Sequence, residues 1–278
     1  IVFGDWSSDV CSSDLHKVDP LAVLAVLTAD HLIPNITCFQ NYLKAACAVA
    51  EQGFIGTLGI QPTYPATGYG YIESGDSLGD FSGIRAFEVK RFIEKPDESL
   101  AKLLFRQENL TWNSGMFICR ADVVLGEFEK LMPSLYETIN ILEPLLGENH
   151  SAKDFIDQWI RIKPQTIDYG IMERTELAAV LPAQNLGWND VGSWDSFFEV
   201  ADPDENGNIV VDVRHVGIDT KDSLIVSNVP DRLIVTLGMK GVIIVQTPDA
   251  ILICPRGESQ RVKELVNYLK ANNLTLFT

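Results

Sequence analysis

Apolar positions along the chain fall into short unbroken runs separated by stretches of helical period. Leu21 to Leu27 reads Leu-Ala-Val-Leu-Ala-Val-Leu and ends at Thr28-Ala29-Asp30-His31. Continuous apolarity over so short a length predicts a strand buried on both faces. Phe39, Leu43 and Ala46 then recur at helical spacing, which predicts a helix from about Asn35 to Gln52 with Gly53 as its stop. Phe54 to Ile60 is a second apolar run, and the order strand, helix, strand predicts a right-handed βαβ unit. Polar turn material from Gln61 to Gly68 leads into Tyr69-Gly70-Tyr71-Ile72. Phe87 to Ile93 reads as a strand stopped by Pro96, and Asp97 is placed to cap a helix carrying Leu100, Leu103 and Leu104. A strand at Met116 to Cys119, a helix at Val123 to Leu131, mainly helical sequence over 134–165, and a strand and loop over 176–186 complete the series. The alternation predicts an α/β domain over 16–202, with a Rossmann-like, mixed and mostly parallel sheet covered by helices on both faces.

The texture changes after residue 202. Pro203-Asp204-Glu205-Asn206-Gly207-Asn208 is a turn cluster, and short β-rich runs follow at Ile209–Val213, Ser223–Val226, Leu233–Leu237, Val242–Gln246 and Ala250–Cys254. Glu258 to Leu269 closes as an amphipathic helix, so 203–278 reads as a smaller β-rich domain. Residues 1–15 fit neither texture. Asp5-Trp6-Ser7-Ser8-Asp9-Val10-Cys11-Ser12-Ser13-Asp14-Leu15 has no period, and it lacks the basic start and apolar middle of a signal peptide. It looks like a translated sequencing-adapter oligonucleotide and is read as foreign to the fold.

The charge narrows the function classes. Lysine and arginine total 22 against 38 acids, giving 22 − 38 = −16, which argues against a nucleic-acid surface built to displace counterions. A nucleotide substrate is compatible, since one lysine and a divalent ion neutralise a triphosphate locally. Cys11, Cys38, Cys47, Cys119 and Cys254 are scattered without paired spacing, as in a reducing compartment, and no apolar run reaches the roughly 20 residues that span a bilayer. The expectation is a cytoplasmic protein with no membrane partner; a homodimer is the candidate assembly.

Candidate chemistry gathers at strand ends, where open sheets bind ligands. Asp30 follows the first run and is a candidate Mg2+ ligand, although a helix cap is the favoured local reading. Asp190 sits between Trp188 and Trp194 and between Gly187 and Gly192, in a stretch too irregular for helix or strand. The tryptophans read as core anchors. Lys95 follows a strand and precedes Pro96, so it is placed to meet a phosphate as a point charge; the alternative is an exposed Glu94–Lys95 pair. Asn113 and Gly115 offer an amide and bare backbone suited to hydroxyl recognition. Tyr69 and Gly70 either let backbone approach a ligand or form a plain loop. Neither a Gly-x-Ser-x-Gly string nor any other nucleophilic triad is present.

Three strings taken in order, Phe92-Ile93-Glu94-Lys95-Pro96, Trp112-Asn113-Ser114-Gly115-Met116-Phe117 and Gly187-Trp188-Asn189-Asp190-Val191-Gly192-Ser193-Trp194, resemble bacterial mannose-1-phosphate guanylyltransferases. That family makes GDP-mannose from GTP and mannose 1-phosphate and releases pyrophosphate. The resemblance covers about residues 21–270. It implies that Asp30 and Asp190 hold the catalytic metal, that Glu94, Lys95 and Pro96 form the sugar-phosphate clamp, and that Glu173, in Ile167-Asp168-Tyr169-Gly170-Ile171-Met172-Glu173, contacts a sugar hydroxyl. It also implies a left-handed β-helix-like C-terminal domain. The family's glycine-rich loop, with its following arginine, is not found here. Gly83-Ile84-Arg85 is too short and Gly68-Tyr69-Gly70 is misplaced, which implies poor GTP binding and slow or absent turnover. The end at Leu276-Phe277-Thr278 leads us to expect no isomerase domain. The rival readings are another sugar-1-phosphate nucleotidyltransferase, such as a glucose-1-phosphate thymidylyltransferase, and a non-catalytic regulatory paralogue.

Overall fold

The computed structural model of the chain describes residues 15–146, 152–160, 162–274 and 276, so the segment read as foreign lies, apart from Leu15, outside the described residues. Helix α1 (Ile36–Glu51) begins where the pattern places it, because Asn35 Oδ1 accepts the Cys38 N–H at 3.1 Å and satisfies one of the first-turn donors. Gly53 follows its end with φ +90°, a conformation that favours glycine. Strand β1 (Val23–Val26) precedes this helix and β2 (Ile55–Ile60) follows it. Strand β2 is buried along its whole length. Strands β3 (Tyr71–Phe81) and β4 (Ile84–Ile93) form a long hairpin, and β5 (Leu110–Arg120) and β6 (Ala178–Ala183) complete the sheet. Asp97 caps α2 (Glu98–Leu104) as expected, its Oδ1 accepting the Leu100 N–H at 2.8 Å. Helices α3 (Ala121–Leu131), α4 (Pro133–Leu142) and α5 (Ala152–Trp159) occupy the segment read as helical.

The strand order is β1-β5-β2-β6-β4-β3, and β3 also pairs with β5, so the ladders from β5 through β2, β6, β4 and β3 close on themselves. The sheet is mixed, as expected, but among the described residues only the β2–β6 ladder is parallel. The cause is β5. It lies antiparallel between β1 and β2, so these two run in the same direction without touching as neighbours. A periodicity argument cannot see such an insertion. Strand β1 corrects a second expectation, because only Leu24 is buried, while Leu21 and Leu27 are 60% and 44% exposed. It is an edge strand, paired on one side alone among the described residues. Adjacent positions of the inner strands feed two cores. Leu58, Ile118 and Leu181 pack with Ala46 and Val49 of α1, whereas Ile55, Phe117 and Val180 pack with Phe128 and Ile139 of α3 and α4.

Among the described residues, those up to Ala29 together with Ile33–Trp188 form this first compact unit, and Asp30–Leu32 with those from Asn189 onward form the second. This division of contacts falls at Trp188, upstream of the change of texture near residue 202. Trp194 and Phe197 stack at 5.7 Å between ring centroids and pack, with Phe198 and Ala201, on the β-rich core. A short helix α6 (Phe197–Val200) leads to β7 (Ile209–Val211), β8 (Arg214–Ile218), β9 (Leu224–Ser227), β10 (Leu233–Leu237), β11 (Val242–Gln246) and β12 (Ile251–Pro255). Strands β7, β9 and β11 stack in parallel in one sheet, β8 and β10 stack in parallel in another, and β12 returns antiparallel on β11. Alternate strands thus fall in alternate sheets, which is the coil of a β-helix. Ile209, Leu224 and Ile243 lie in register, so each rung buries its apolar residue on the next. Strand β8 has no counterpart among the expected runs, because Val216 and Ile218 face outward and Gly217 interrupts the apolar pattern. The last helix, α7 (Val262–Ala271), follows a 3-10 turn at Ser259–Arg261 and has no buried residue.

Candidate functional site

In the first unit, the end of β4 sets the site. Lys95 has φ +44°, a left-handed conformation that a non-glycine residue adopts at a cost of about 1–3 kcal/mol and that clusters at functional sites. Its Nζ lies 2.7 Å from Glu94 Oε1. That contact, ahead of the more distant charges of Asp168 and Tyr169, holds the Lys95 ammonium above the ordinary lysine range. Glu94 is not the exposed partner that a strand-end pair would have, since its side chain is only 6% accessible. Its backbone N–H donates to Glu173 Oε1 at 3.3 Å. Its other carboxylate oxygen, Oε2, is buried and has no hydrogen-bond partner among the described residues. Gly70 explains how that oxygen fits, because a Cβ there would lie 2.4 Å from it. A side chain at position 70 would therefore meet the Glu94 carboxylate.

Asn113 stands beside this pair on β5. Its backbone N–H donates to Gly70 O at 2.8 Å, its Nδ2 donates to Asp168 Oδ1 at 2.9 Å, and its Oδ1 accepts from Gly115 N at 3.0 Å and Thr57 Oγ1 at 3.4 Å. Gly115 has φ +71°, and a Cβ there would lie 3.4 Å from Thr28 Cγ2. Thr28 Oγ1 is buried and without a hydrogen-bond partner among the described residues. Tyr69 meets Trp112 and Trp188 edge to face, at 4.9 and 5.5 Å, and closes the aromatic side of the cluster. Asp168 and Glu173 bracket a π-helical turn, Asp168–Met172, in which Glu173 N donates to Asp168 O at 2.9 Å. Such turns are uncommon and recur at functional sites. The structure thus joins Gly70, Glu94, Lys95, Asn113, Gly115 and Glu173 in one polar cluster. Sequence reasoning missed Asp168, Thr57 and Thr28. Asp168 lay inside a singled-out string, whereas the threonines carried no local signal.

The two remaining candidates, Asp30 and Asp190, belong to the second unit. Leu32 and Asn189 form an antiparallel bridge, with N–H to O distances of 2.8 and 3.0 Å in the two directions, and this brings their neighbours together. His31 registers the result. Burial lowers its pKa, while the carboxylates of Asp30 and Asp190 both act to raise it. Val191 turns back with φ +49°, its N–H donating to Asn189 Oδ1 at 2.8 Å. Gly192 carries no Cβ where one would fall 2.5 Å from Asp190 Oδ2. Asp195 ties the following segment down, accepting from Gly257 N at 2.6 Å and Ser259 N at 3.2 Å. Among the described residues no group of three or more His, Cys, Asp or Glu side chains is arranged to hold a metal ion. Two hard carboxylates fit a divalent cation that completes its shell with ligand oxygens, and do not amount to a closed protein cage.

The comparisons bear on the two-part fold. The family model "Nucleotidyl transferase" matches residues 11–207, and "MannoseP isomerase/GMP-like beta-helix domain" matches 213–269. The mannose-1-phosphate guanylyltransferase of Salmonella muenchen is 38% identical over 263 residues, covering 92% of this chain and 53% of that protein. The xanthan biosynthesis protein XanB of Xanthomonas campestris pv. campestris strain B100 is 38% identical over 260 residues, covering 91% of this chain and 52% of that protein. A crystal structure described as mannose-1-phosphate geranyltransferase from Thermus thermophilus superposes with a TM-score of 0.78 at 27% identity, covering 94% of this chain and 73% of that one. The chain thus spans about half the length of the curated relatives it matches. With the sheet, the β-helix and the glycine-spaced strand ends all in place, this chain belongs to the nucleotidyl transferase family.

Proposed function

We propose that the chain serves the transfer of GMP from GTP to mannose 1-phosphate, giving GDP-mannose and pyrophosphate. The observation that carries the reading is the buried, unpartnered Glu94 Oε2, set against Gly70 and beside a lysine and an amide. A buried acceptor left without a donor costs about 1–3 kcal/mol, and a ligand hydroxyl supplies that donor. The same ligand needs an anion for Lys95, so a sugar 1-phosphate satisfies both groups at once. Asn113 and Glu173 are further hydroxyl contacts in this reading. The names of the guanylyltransferase relatives support the choice of mannose and GTP.

The chemistry follows from position and charge rather than from a covalent intermediate. Lys95 holds the sugar phosphate, and Glu94 holds Lys95, so the ammonium is fixed where it screens the nucleophile. A phosphate oxygen of the sugar 1-phosphate forms a bond to the α-phosphorus of GTP. The bond from that phosphorus to the bridging oxygen breaks, and the electron pair leaves with pyrophosphate. Asp30 and Asp190 would hold a divalent ion, Mg2+ in our reading, which when bound neutralises charge on the reacting phosphates. Free thiols at Cys38, Cys47, Cys119 and Cys254 accord with the cytoplasm, and no helix among the described residues is long and apolar enough to cross a membrane. The homodimer remains part of the proposal, to be read by light scattering.

Binding of the sugar phosphate tests this reading without needing the glycine-rich triphosphate loop. Titration calorimetry should show mannose 1-phosphate bound more tightly than inorganic phosphate, with Lys95→Ala weakening it about tenfold to a hundredfold, as expected for loss of a charge-assisted contact. With the glycine-rich loop supplied in a longer version of the protein, pyrophosphate release should favour GTP over dTTP. Absence of mannose 1-phosphate binding to the folded protein would overturn the reading, and preference for glucose 1-phosphate would move it to a thymidylyltransferase.

A further inference from the structure

Asn113 is held by an arrangement that admits only one orientation of its amide. A carboxylate accepts hydrogen bonds and donates none, so Asp168 Oδ1, at 2.9 Å, must face Asn113 Nδ2. On the other side, Gly115 N–H and the Thr57 hydroxyl both point at Asn113 Oδ1. Flipping the amide would set oxygen against carboxylate and NH2 against an N–H, losing the bonds to Asp168 and to Gly115. The amide nitrogen carries two hydrogens. Asp168 takes one, and the second has no hydrogen-bond partner among the described residues. We infer that Asp168 is a positioning residue: its carboxylate locks Asn113 so that one Nδ2–H is always presented to a sugar hydroxyl. This rests on the proposed sugar-phosphate site.

Several features support a dedicated role. Asp168 is 55 residues from Asn113 in sequence and begins the π-helical turn, so the bond is a tertiary contact rather than a local one. The turn is seated tightly, since a Cβ at Gly170 would lie 2.4 Å from Met132 Sδ. The Asp168 charge also contributes, after that of Glu94, to keeping Lys95 protonated. Asparagine at this position would not do the same. Its neutral oxygen accepts more weakly than a carboxylate, and in its other rotamer its NH2 would face Asn113 Nδ2, leaving Gly115 and Thr57 alone to hold the amide.

The experiment is calorimetric titration of the full chain and its variants with mannose 1-phosphate and, separately, with inorganic phosphate. Asp168→Asn should weaken mannose 1-phosphate about tenfold, the value of one oriented hydrogen bond, while leaving inorganic phosphate within about twofold. The side-chain NH2 resonances of Asn113 should be resolved and slowly exchanging in the parent and should broaden or collapse in this variant. The exchanged pair Asn113→Asp with Asp168→Asn restores an amide-to-carboxylate bond with donor and acceptor reversed. Its unfolding temperature should recover, yet its mannose 1-phosphate affinity should stay low because position 113 no longer donates. Equal affinity of Asp168→Asn and the parent for mannose 1-phosphate would overturn the positioning role and leave the site reading standing. A parallel loss for both ligands, with a matching fall in unfolding temperature, would overturn it in favour of a purely structural contact. Failure of the parent itself to bind mannose 1-phosphate would remove the site reading and this inference with it.

Discussion

Single residues in this protein are constrained by what their neighbours lack. Gly70 is the plainest case, because the Glu94 carboxylate occupies the place where a Cβ would stand. Gly70→Ala should push Glu94 out of contact with Lys95 and destabilise the first unit by about 1–3 kcal/mol, as overpacking does. The checks are thermal denaturation and the mannose 1-phosphate titration, in which the variant should bind more weakly than the parent; an unchanged affinity would mean that Glu94 is not part of the sugar contact. At this scale the sequence was informative wherever a residue type has few uses. Lys95 before Pro96 and Asn113 two residues before Gly115 were legible as candidates. Asp168 was not, since an aspartate beside a tyrosine has many ordinary roles, and its meaning depends on an amide 55 residues away.

Elements were legible by period and misjudged in their neighbours. Helix α1 appears almost as read, with its asparagine cap, and Asp97 caps α2. Strands β3 and β4 run well beyond the short apolar cores that announced them, because their outer halves are held by the hairpin ladder, while charge crosses it at the inner end. Glu73 is buried on β3, with Lys90 Nζ at 2.7 Å and Arg91 Nε at 3.3 Å on β4. The hydrogen bond from Lys90, against an opposing effect of burial, lowers the Glu73 pKa. A folded-state pKa below the unfolded one means stability present above the ordinary carboxylate range and lost as the pH falls through the folded value. Glu73→Gln should therefore cost about 1 kcal/mol at pH 7, and the difference from the parent should shrink in acid. Denaturant melts of both proteins at neutral and low pH would decide this, and a constant difference would exclude the ion pair as its source.

At the scale of the whole molecule, the two units obtain their cores differently. The first fills both faces of a mixed sheet, while the second stacks one apolar residue per rung, with Ile209, Leu224 and Ile243 in register. A stack of this kind has little to compensate for a missing member. Leu224 is wholly buried between the other two, so Leu224→Ala should lower stability by about 2–5 kcal/mol. Tryptophan fluorescence during urea unfolding would show it as an earlier loss of the Trp194 environment, and an unshifted midpoint would contradict the stacked-rung account.

The sequence by itself determined the helices, the change from α/β to β-rich texture, the caps, and the glycine-spaced strings that resemble a guanylyltransferase. These are properties of a single element, and local periodicity and residue chemistry report on a single element. The tertiary structure alone decided that β5 lies between β1 and β2, that β1 is an edge strand, that Asn113 donates to Asp168, and that His31 sits under the influence of both Asp30 and Asp190. Each of those depends on a pairing between distant parts of the chain. Such pairings are selected by the closure of hydrogen bonds and the exclusion of water over the whole fold, and no local pattern encodes them.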